Sequence, residues 1–373
     1  MTPVTVATLD SGYEDLLRIL DRFLAEDPSW RFRLVLHGPA GTLLDAHTFG
    51  DDEPDRIQPV ASVSKGITGI ALGLLIERGA LDEERPVADY WPEFGRGGKE
   101  AMTVAELLSH RAGLPGFSPG LSWADATGPA GAADLAAQRP AWPPGAAHGY
   151  HAFTIGTLAD ELVRRITGAA TAEFWAAEVA DRHGVDFWLR LPDRERPRLR
   201  KVMPGAAVGS ADPTGDVTRL AVAPFDWLGD GDPWLNSPRL LEAGVASVSG
   251  VGSARGIADA YALAIGSDGR SPLLSSGTVA RIAQLRSAGE DLVLGGHRRY
   301  SLLFQKPADD HDFGTARAFG HDGAGGGIGF ADPITGLAFG YLPERVPTPA
   351  KADARALRVA QAARTIALHA SAG

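Results

Sequence analysis

The 373-residue chain contains no cysteine, which excludes disulfides, thiolate catalysis and cysteine-ligated metal sites. It has no surplus of positive charge: 36 Lys and Arg stand against 46 Asp and Glu, a formal net charge of −10. That leaves no basic footprint for nucleic acid or anionic lipid. No apolar run approaches the ~18 residues of a membrane span. The opening stretch MTPVTVATLDSGYEDLLRIL lacks the basic segment and apolar core of a secretion signal, so the expected location is the cytoplasm. The ten histidines include no HExxH or similarly close ligand spacing. His47, His148, His151, His297 and His311 read as loop or surface residues, and neither metal nor cofactor is expected. GAGGG at 323–327 lacks the Gly-Lys-Ser/Thr ending of a phosphate loop, and no helix signal follows it.

What is present is enough apolar sequence, 44%, for one large domain or two intimate ones. Leu and Phe recur at helical spacing in EDLLRILDRFLA (14–25). RFRLVLH (31–37) alternates like a strand, GPAG turns, and TLLDAHTF returns as a hairpin partner. TVAELLS (103–109) opens a helix with Thr103 as N-cap and Glu106 three residues on. The segment 114–149 is rich in Gly, Pro and Ala, with PGFSPGLS and WPPGAAHG as loops. Helices are expected over 154–167, 250–264 and 352–370. Strands are expected at 292–295, 300–305, 327–332 and 337–342, and the arginine-rich stretch 190–201 as a solvated surface segment. A sheet built from both chain ends around a helical insertion fits this order.

One helix is unusual. ASVSKGITGIALGLLIERG (61–79) is apolar on several faces, so it belongs deep in the fold, yet it opens with Ser-Val-Ser-Lys. Residues three apart share a helix face, which lets the Ser62 hydroxyl meet the Lys65 amine. The helix N-terminus favours negative charge developing beside Ser62, and burial lowers the lysine pKa. A serine beside a neutral amine is an activated nucleophile. With 19 serines and five lysines, chance alone gives Ser-x-x-Lys about 0.25 times in such a chain, so the spacing is a weak signal by itself. The alternative is a capping Ser62 and a Lys65 that reaches out to water.

The run from PVASVSKGITG to SHRAGLPGF (59–117), then WPPGAAHGYHAFTIGTLADELVRRITG (142–168) and FGHDGAGGGIGFADPITGLAFGYL (319–342), resembles the serine β-lactamase and penicillin-binding-protein superfamily. The closer likeness is to its class C-type branch of β-lactamase-like carboxylesterases. The resemblance implies an α+β fold, with an antiparallel sheet flanked by helices beside a mostly helical domain. Residues 1–80 and 285–373 would form the discontinuous α/β domain and 81–284 the helical one, with the active site between them.

Residue by residue, it implies Ser62 as acylated nucleophile, Lys65 as its proton partner and Tyr150 beside both. A neighbouring ammonium would favour the Tyr150 phenolate, so Lys65 and Tyr150 both stand as candidates for the base. The family's Lys-Thr-Gly strand reads His321-Asp322-Gly323, and the Ala324 and Ser62 amides would form the oxyanion hole. His321 would bond the Tyr150 oxygen, wall the pocket or serve structure alone; His110 fits packing or loop bonding. Trp142, Phe117 and Trp123 are candidates to line an acyl or alcohol pocket. Ala152 stands where β-lactamases carry Asn, and Asp322 puts a negative charge where a substrate carboxylate would be received. GAGGG has a third glycine where esterase-like relatives are expected to carry Ser. These departures favour neutral esters over β-lactams.

The reading is therefore a cofactor-free serine hydrolase that cleaves small carboxylic esters through an acyl-enzyme. Acyl transfer, β-lactamase or D-peptidase activity and a non-catalytic scaffold are the alternatives. Nothing in the sequence fixes an oligomeric state.

Overall fold

Alternation along the C-terminal strands explains how the central sheet is covered on both faces. In Leu337–Pro343, Leu337, Phe339 and Tyr341 point into one apolar core, while Ala338 and Leu342 point into another. The first core is completed by the amphipathic helix Glu14–Glu26, through Leu16, Leu20 and Leu24, and by Val359 and Ala363 of the C-terminal helix Ala354–Ala372. On the second face the strands are small: Gly329, Ala331, Ala338 and Gly340. Helix Ala254–Ile265 lies directly on them, so close that a Cβ on Gly340 would sit 2.1 Å from the Ala254 carbonyl.

The structure is a computed structural model that describes residues 4–49, 56–205, 215–229 and 233–372. Its strands are β1 Thr5–Leu9, β2 Phe32–Gly38, β3 Gly41–His47, β4 Gln58–Pro59, β5 Phe187–Trp188, β6 Val251–Gly252, β7 Ser287–Glu290, β8 His297–Tyr300, β9 Phe319–Asp322, β10 Ile328–Asp332 and β11 Leu337–Pro343. Six make an antiparallel sheet in the order β1-β3-β2-β11-β10-β9. Both chain ends feed it, as the order of elements suggests. The α/β layer also takes in Ala254–Ile265, which lies within the span assigned above to the helical domain.

Several elements form where expected. The 154–167 helix ends on Gly168 in the left-handed region, and Thr103 with Glu106 makes a reciprocal capping box. Other expectations need correction. Residues 292–295 form a turn, because the Asp291 carboxylate accepts the N–H groups of Val293 and Leu294 and curls the chain before β8 can start. The strand expected over 300–305 ends at Tyr300. The helix expected from Gly250 begins at Ala254, capped by Ser253, because Val251 and Gly252 are taken up pairing with β4 and β5. The stretch 190–201 lies at the surface as expected, and its residues 193–198 form a 3₁₀ helix whose Arg196 and Arg198 pair with Asp193, Glu242, Asp186 and Glu195. Of the histidines read as loop or surface residues, only His297 is exposed; His47, His148 and His151 are buried and His311 is half-buried.

Candidate active site

Helix Val63–Glu77 is the central element, with every side chain from Val63 to Ile76 buried. Gly66 is required there: a Cβ would lie 2.0 Å from the Tyr261 hydroxyl. Ahead of the helix, Ala61 takes φ +50, a left-handed conformation that costs about 1–3 kcal/mol for a residue with a side chain. This turn sets Ser62 at the N-cap with no side-chain capping bond. Ser62 is thus not capping the helix through its side chain, and its hydroxyl instead meets Lys65.

Lys65 lies one turn into the helix and is fully buried. Its Nζ stands 3.0 Å from Ser62 Oγ, 2.8 Å from the Ala152 carbonyl and 3.2 Å from the Ser247 carbonyl. A neutral amine has two N–H donors and one lone pair. The ammonium form donates to all three acceptors; once deprotonated, two N–H groups can stay on the carbonyls and the lone pair is left to face the serine O–H. Burial holds the Lys65 pKa well below its ordinary value, against a smaller opposing pull from Asp322. The segment that supplies the Ser247 carbonyl is pinned to the same helix, by Thr68 Oγ1 donating to Ala246 O and by Gly250 N–H donating to Ser64 Oγ.

Tyr150 is buried against His110, Tyr300 and His321, with Lys65 Nζ 4.7 Å from its ring centre. Burial raises its pKa far above that of a free phenol, and its hydrogen bond with Ser62 offsets this only in part. The phenolate expected from a neighbouring ammonium is therefore not the favoured state, because desolvation dominates and burial also disfavours the ammonium. Asp291 holds the residue in place. Its Oδ1 accepts the Tyr150, Val293 and Leu294 N–H groups at 3.0, 2.9 and 2.8 Å, and its Oδ2 accepts the Tyr300 hydroxyl at 2.9 Å. Asp291 is 1% exposed and 141 residues from Tyr150 in sequence, so no local pattern points to it.

β9 carries His321 and Asp322 and leads into the 323–327 turn, closed by Gly323 N–H to Gly327 O at 2.9 Å and Gly326 N–H to Gly323 O at 2.8 Å. Gly323 lies against the nucleophile turn, where a Cβ would meet Val60 O at 2.2 Å and Ser62 N at 3.3 Å. Among the described residues neither the Ser62 nor the Ala324 N–H has an acceptor, and both residues line one cavity of about 240 Å³ together with Tyr150, Ala152 and Gly323.

His321 is fully buried. Its Nδ1 donates to the Asp322 carbonyl at 2.6 Å, and its Nε2 has no partner among the described residues, so the bond to the Tyr150 oxygen is not made. Desolvation first, then the Lys65 charge, brings its pKa down to about 3. Burial pushes Asp322 up, but His311, His321, the Ala352 N–H and the Gln305 amide outweigh it and hold the carboxyl below its ordinary range. Asp322 is not the only charge at the cavity: Arg298, Arg299, Lys306 and Lys351 line it together with Asp310, which pairs with Arg298 and Lys351.

The proposed pocket aromatics are elsewhere. Trp142 donates to Ala147 O and packs behind Tyr150, while Phe117 and Trp123 pack on Phe153 and Trp227. The cavity wall is instead formed by Phe225, Trp234, Tyr300 and Leu294, which no sequence motif marks. His110 bonds within the loops, its Nδ1 accepting the His151 N–H. Among the described residues, His37, Asp259 and Asp268 come within metal-like spacing of one another. There the Arg270 guanidinium reaches both carboxylates, at 3.2 and 3.3 Å, and occupies the role a cation would take.

Residues 45–364 match the Beta-lactamase family. The chain is 31% identical to the esterase/beta-lactamase LipL of Mycobacterium tuberculosis over 317 residues, 79% of this chain and 71% of that one. Among solved structures it is similar to EstA of Arthrobacter nitroguajacolicus Rue61a, with a TM-score of 0.89 and 35% identity, covering 98% of this chain and 99% of that one. It is also similar to a family VIII carboxylesterase, with a TM-score of 0.86 and 28% identity, over 97% and 99% of the two chains. The expected fold, a β-lactamase/transpeptidase-like antiparallel sheet with flanking helices, is thereby established. No described helix is long and apolar enough to cross a membrane.

Proposed function

The chain belongs to the β-lactamase family of serine hydrolases, and from that premise we propose that it cleaves carboxylic esters through a covalent acyl-enzyme on Ser62, with Lys65 as the base. One observation carries the proposal: Lys65 Nζ stands 3.0 Å from Ser62 Oγ and also contacts two main-chain carbonyls, which would hold both N–H groups of the neutral amine. Burial lowers the Lys65 pKa and raises that of Tyr150. Both shifts favour the pair of neutral amine and neutral phenol over ammonium and phenolate. Lys65 therefore removes the serine proton as Oγ attacks the ester carbonyl.

The oxyanion forms beside the Ser62 and Ala324 N–H groups. The Lys65 ammonium then returns its proton to the leaving alcohol, either directly or through the Tyr150 hydroxyl. Water attacks the acyl-enzyme by the same route in reverse, giving its proton to Lys65, which passes it to Ser62 Oγ as the ester bond breaks. Phe225, Trp234 and Leu294 offer an apolar wall to the acyl or alcohol group.

The test is hydrolysis of p-nitrophenyl acetate and butyrate, with nitrocefin alongside and intact-protein mass followed during turnover. Ester cleavage and an acyl adduct, both lost in Ser62→Ala, are expected, with little nitrocefin cleavage. Turnover that survives Ser62→Ala would sink the mechanism. The pH profile separates the two candidate bases. With Lys65 as base, kcat/KM falls on the acid side as the amine protonates and holds on the alkaline side; a phenolate base would give activity that keeps rising past pH ~10.

A further inference from the structure

A second cavity lies apart from Ser62. It has a volume of about 820 Å³, within the ~300–1,000 Å³ that accommodates a small ligand. Ile265, Leu274, Val279 and Leu285 give it apolar walls, and Ile334 at its edge is 57% exposed. Its charged lining residues are Lys306 and Arg317, with no Asp or Glu among them, in a protein whose net charge is −10.

Lys306 is 5% exposed, and its ammonium donates to the Ala318 carbonyl at 2.5 Å. Among the described residues no carboxylate lies within ion-pair distance of it. The nearby Asp332 is committed elsewhere, accepting from the Thr315 N–H and hydroxyl and from the Ile334 N–H. The exposed Arg317 guanidinium has no hydrogen-bond or ion-pair partner among the described residues. A buried ammonium with unused donors at an apolar cavity is a costly arrangement unless an anion completes it.

We propose that this cavity is a second ligand site that takes a medium-chain carboxylate, its tail along Ile265, Leu274 and Val279 and its head group on Lys306 and Arg317. The site is separate from the Ser62 chemistry, although Lys306 also stands in the wall of the active-site cavity. Burial brings the Lys306 pKa down to about 8, against a smaller upward pull from Asp332. An anion binds the protonated form, so affinity weakens as the pH rises through the lysine's titration.

Isothermal titration calorimetry of the full chain with decanoate tests the assignment. One decanoate per chain is expected at pH 7, with several-fold weaker binding at pH 9.5. Decyltrimethylammonium, with the same tail and opposite charge, should bind about tenfold more weakly or worse, as should decanoate to Lys306→Met. Ala280→Trp, at an exposed lining position, should fill the cavity and abolish binding. Arg317→Gln, also at an exposed position, should weaken binding about two- to fivefold even if Lys306→Met fails to fold. Absence of binding, equal binding of the cationic amphiphile, or decanoate affinity untouched by both Ala280→Trp and Arg317→Gln would overturn the proposal.

Discussion

Two glycines two residues apart in the same turn should respond in opposite ways to alanine. A Cβ on Gly323 would sit 2.2 Å from Val60 O and 3.3 Å from Ser62 N. The first distance is roughly 1 Å short of tolerable contact, and the obstacle is main chain that cannot rotate away. Relief has two routes. If Val60 yields, it takes the nucleophile turn with it, because the Val63 N–H bonds Val60 O and the Val60 N–H bonds Gly250 O. If residue 323 yields, it carries the Ala324 N–H away from its place. Either route displaces one of the two donors proposed to hold the oxyanion.

Loss of one such donor costs about 10²–10³ in kcat, or ~2.7–4 kcal/mol, and a shift of about 1 Å is enough to cause it. Overpacking should also cost ~1–3 kcal/mol of stability. Gly325 differs: a Cβ there meets nothing closer than Leu235 Cδ2 at 3.8 Å, and its φ is not left-handed. Gly325→Ala should keep wild-type kcat and gain ~0.4–1 kcal/mol by restricting the unfolded chain. The assay is initial rates on p-nitrophenyl acetate with urea unfolding in parallel. Gly323→Ala within about threefold of wild-type kcat, or Gly325→Ala falling with it, would refute the placement of the oxyanion hole.

Asp291→Asn turns an acceptor of three N–H groups and one hydroxyl into a group with an N–H₂ of its own. It should lose about 2–3 kcal/mol in urea unfolding and slow phosphonate labelling of Ser62 as Tyr150 loosens; unchanged labelling would remove Asp291 from the support of the site. The buried histidines set an acid limit. The His151 pKa is brought down to about 4, chiefly by burial, whereas the unfolded ring titrates near ~6.5. As pH falls from 6.5, the unfolded chain therefore binds the proton first, and stability drops by about 3 kcal/mol down to pH 4 from this residue alone. His321, held to about 3 by the same cause, extends the loss. Stability that is flat between pH 6.5 and 5, where carboxylates contribute little, would contradict the buried neutral rings. Thr103→Ala removes the hydroxyl that accepts the Glu106 N–H and should cost ~1 kcal/mol, read as a shift in the urea midpoint.

The legible parts of this chain are those written locally. The Thr103 capping box, the Gly168 stop and the Ser62–Lys65 spacing are short-range patterns, and each forms at its expected position. What escaped the sequence is set by contacts between distant segments. Trp142 occupies a loop that the Gly/Pro pattern identifies, but its direction depends on the Ala147 carbonyl and the Tyr150 ring, and both turn it inward. Phe225 and Trp234 pack against each other with ring centres 4.5 Å apart and line the cavity, yet nothing around them marks a substrate wall. The deepest gap concerns the lysine itself. Lys65 is legible as a residue, but the base role proposed for it rests on burial together with the carbonyls of Ala152 and Ser247, 87 and 182 residues away. Main-chain carbonyls are the same at every position, so a motif can name the amine but not the acceptors that occupy its N–H groups. Replacing the side chain of residue 152 or 247 leaves those acceptors in place. The proton-accepting state proposed for Lys65 therefore depends on how the 150–153 turn and the 245–250 segment dock on one helix, an arrangement present only in the folded chain.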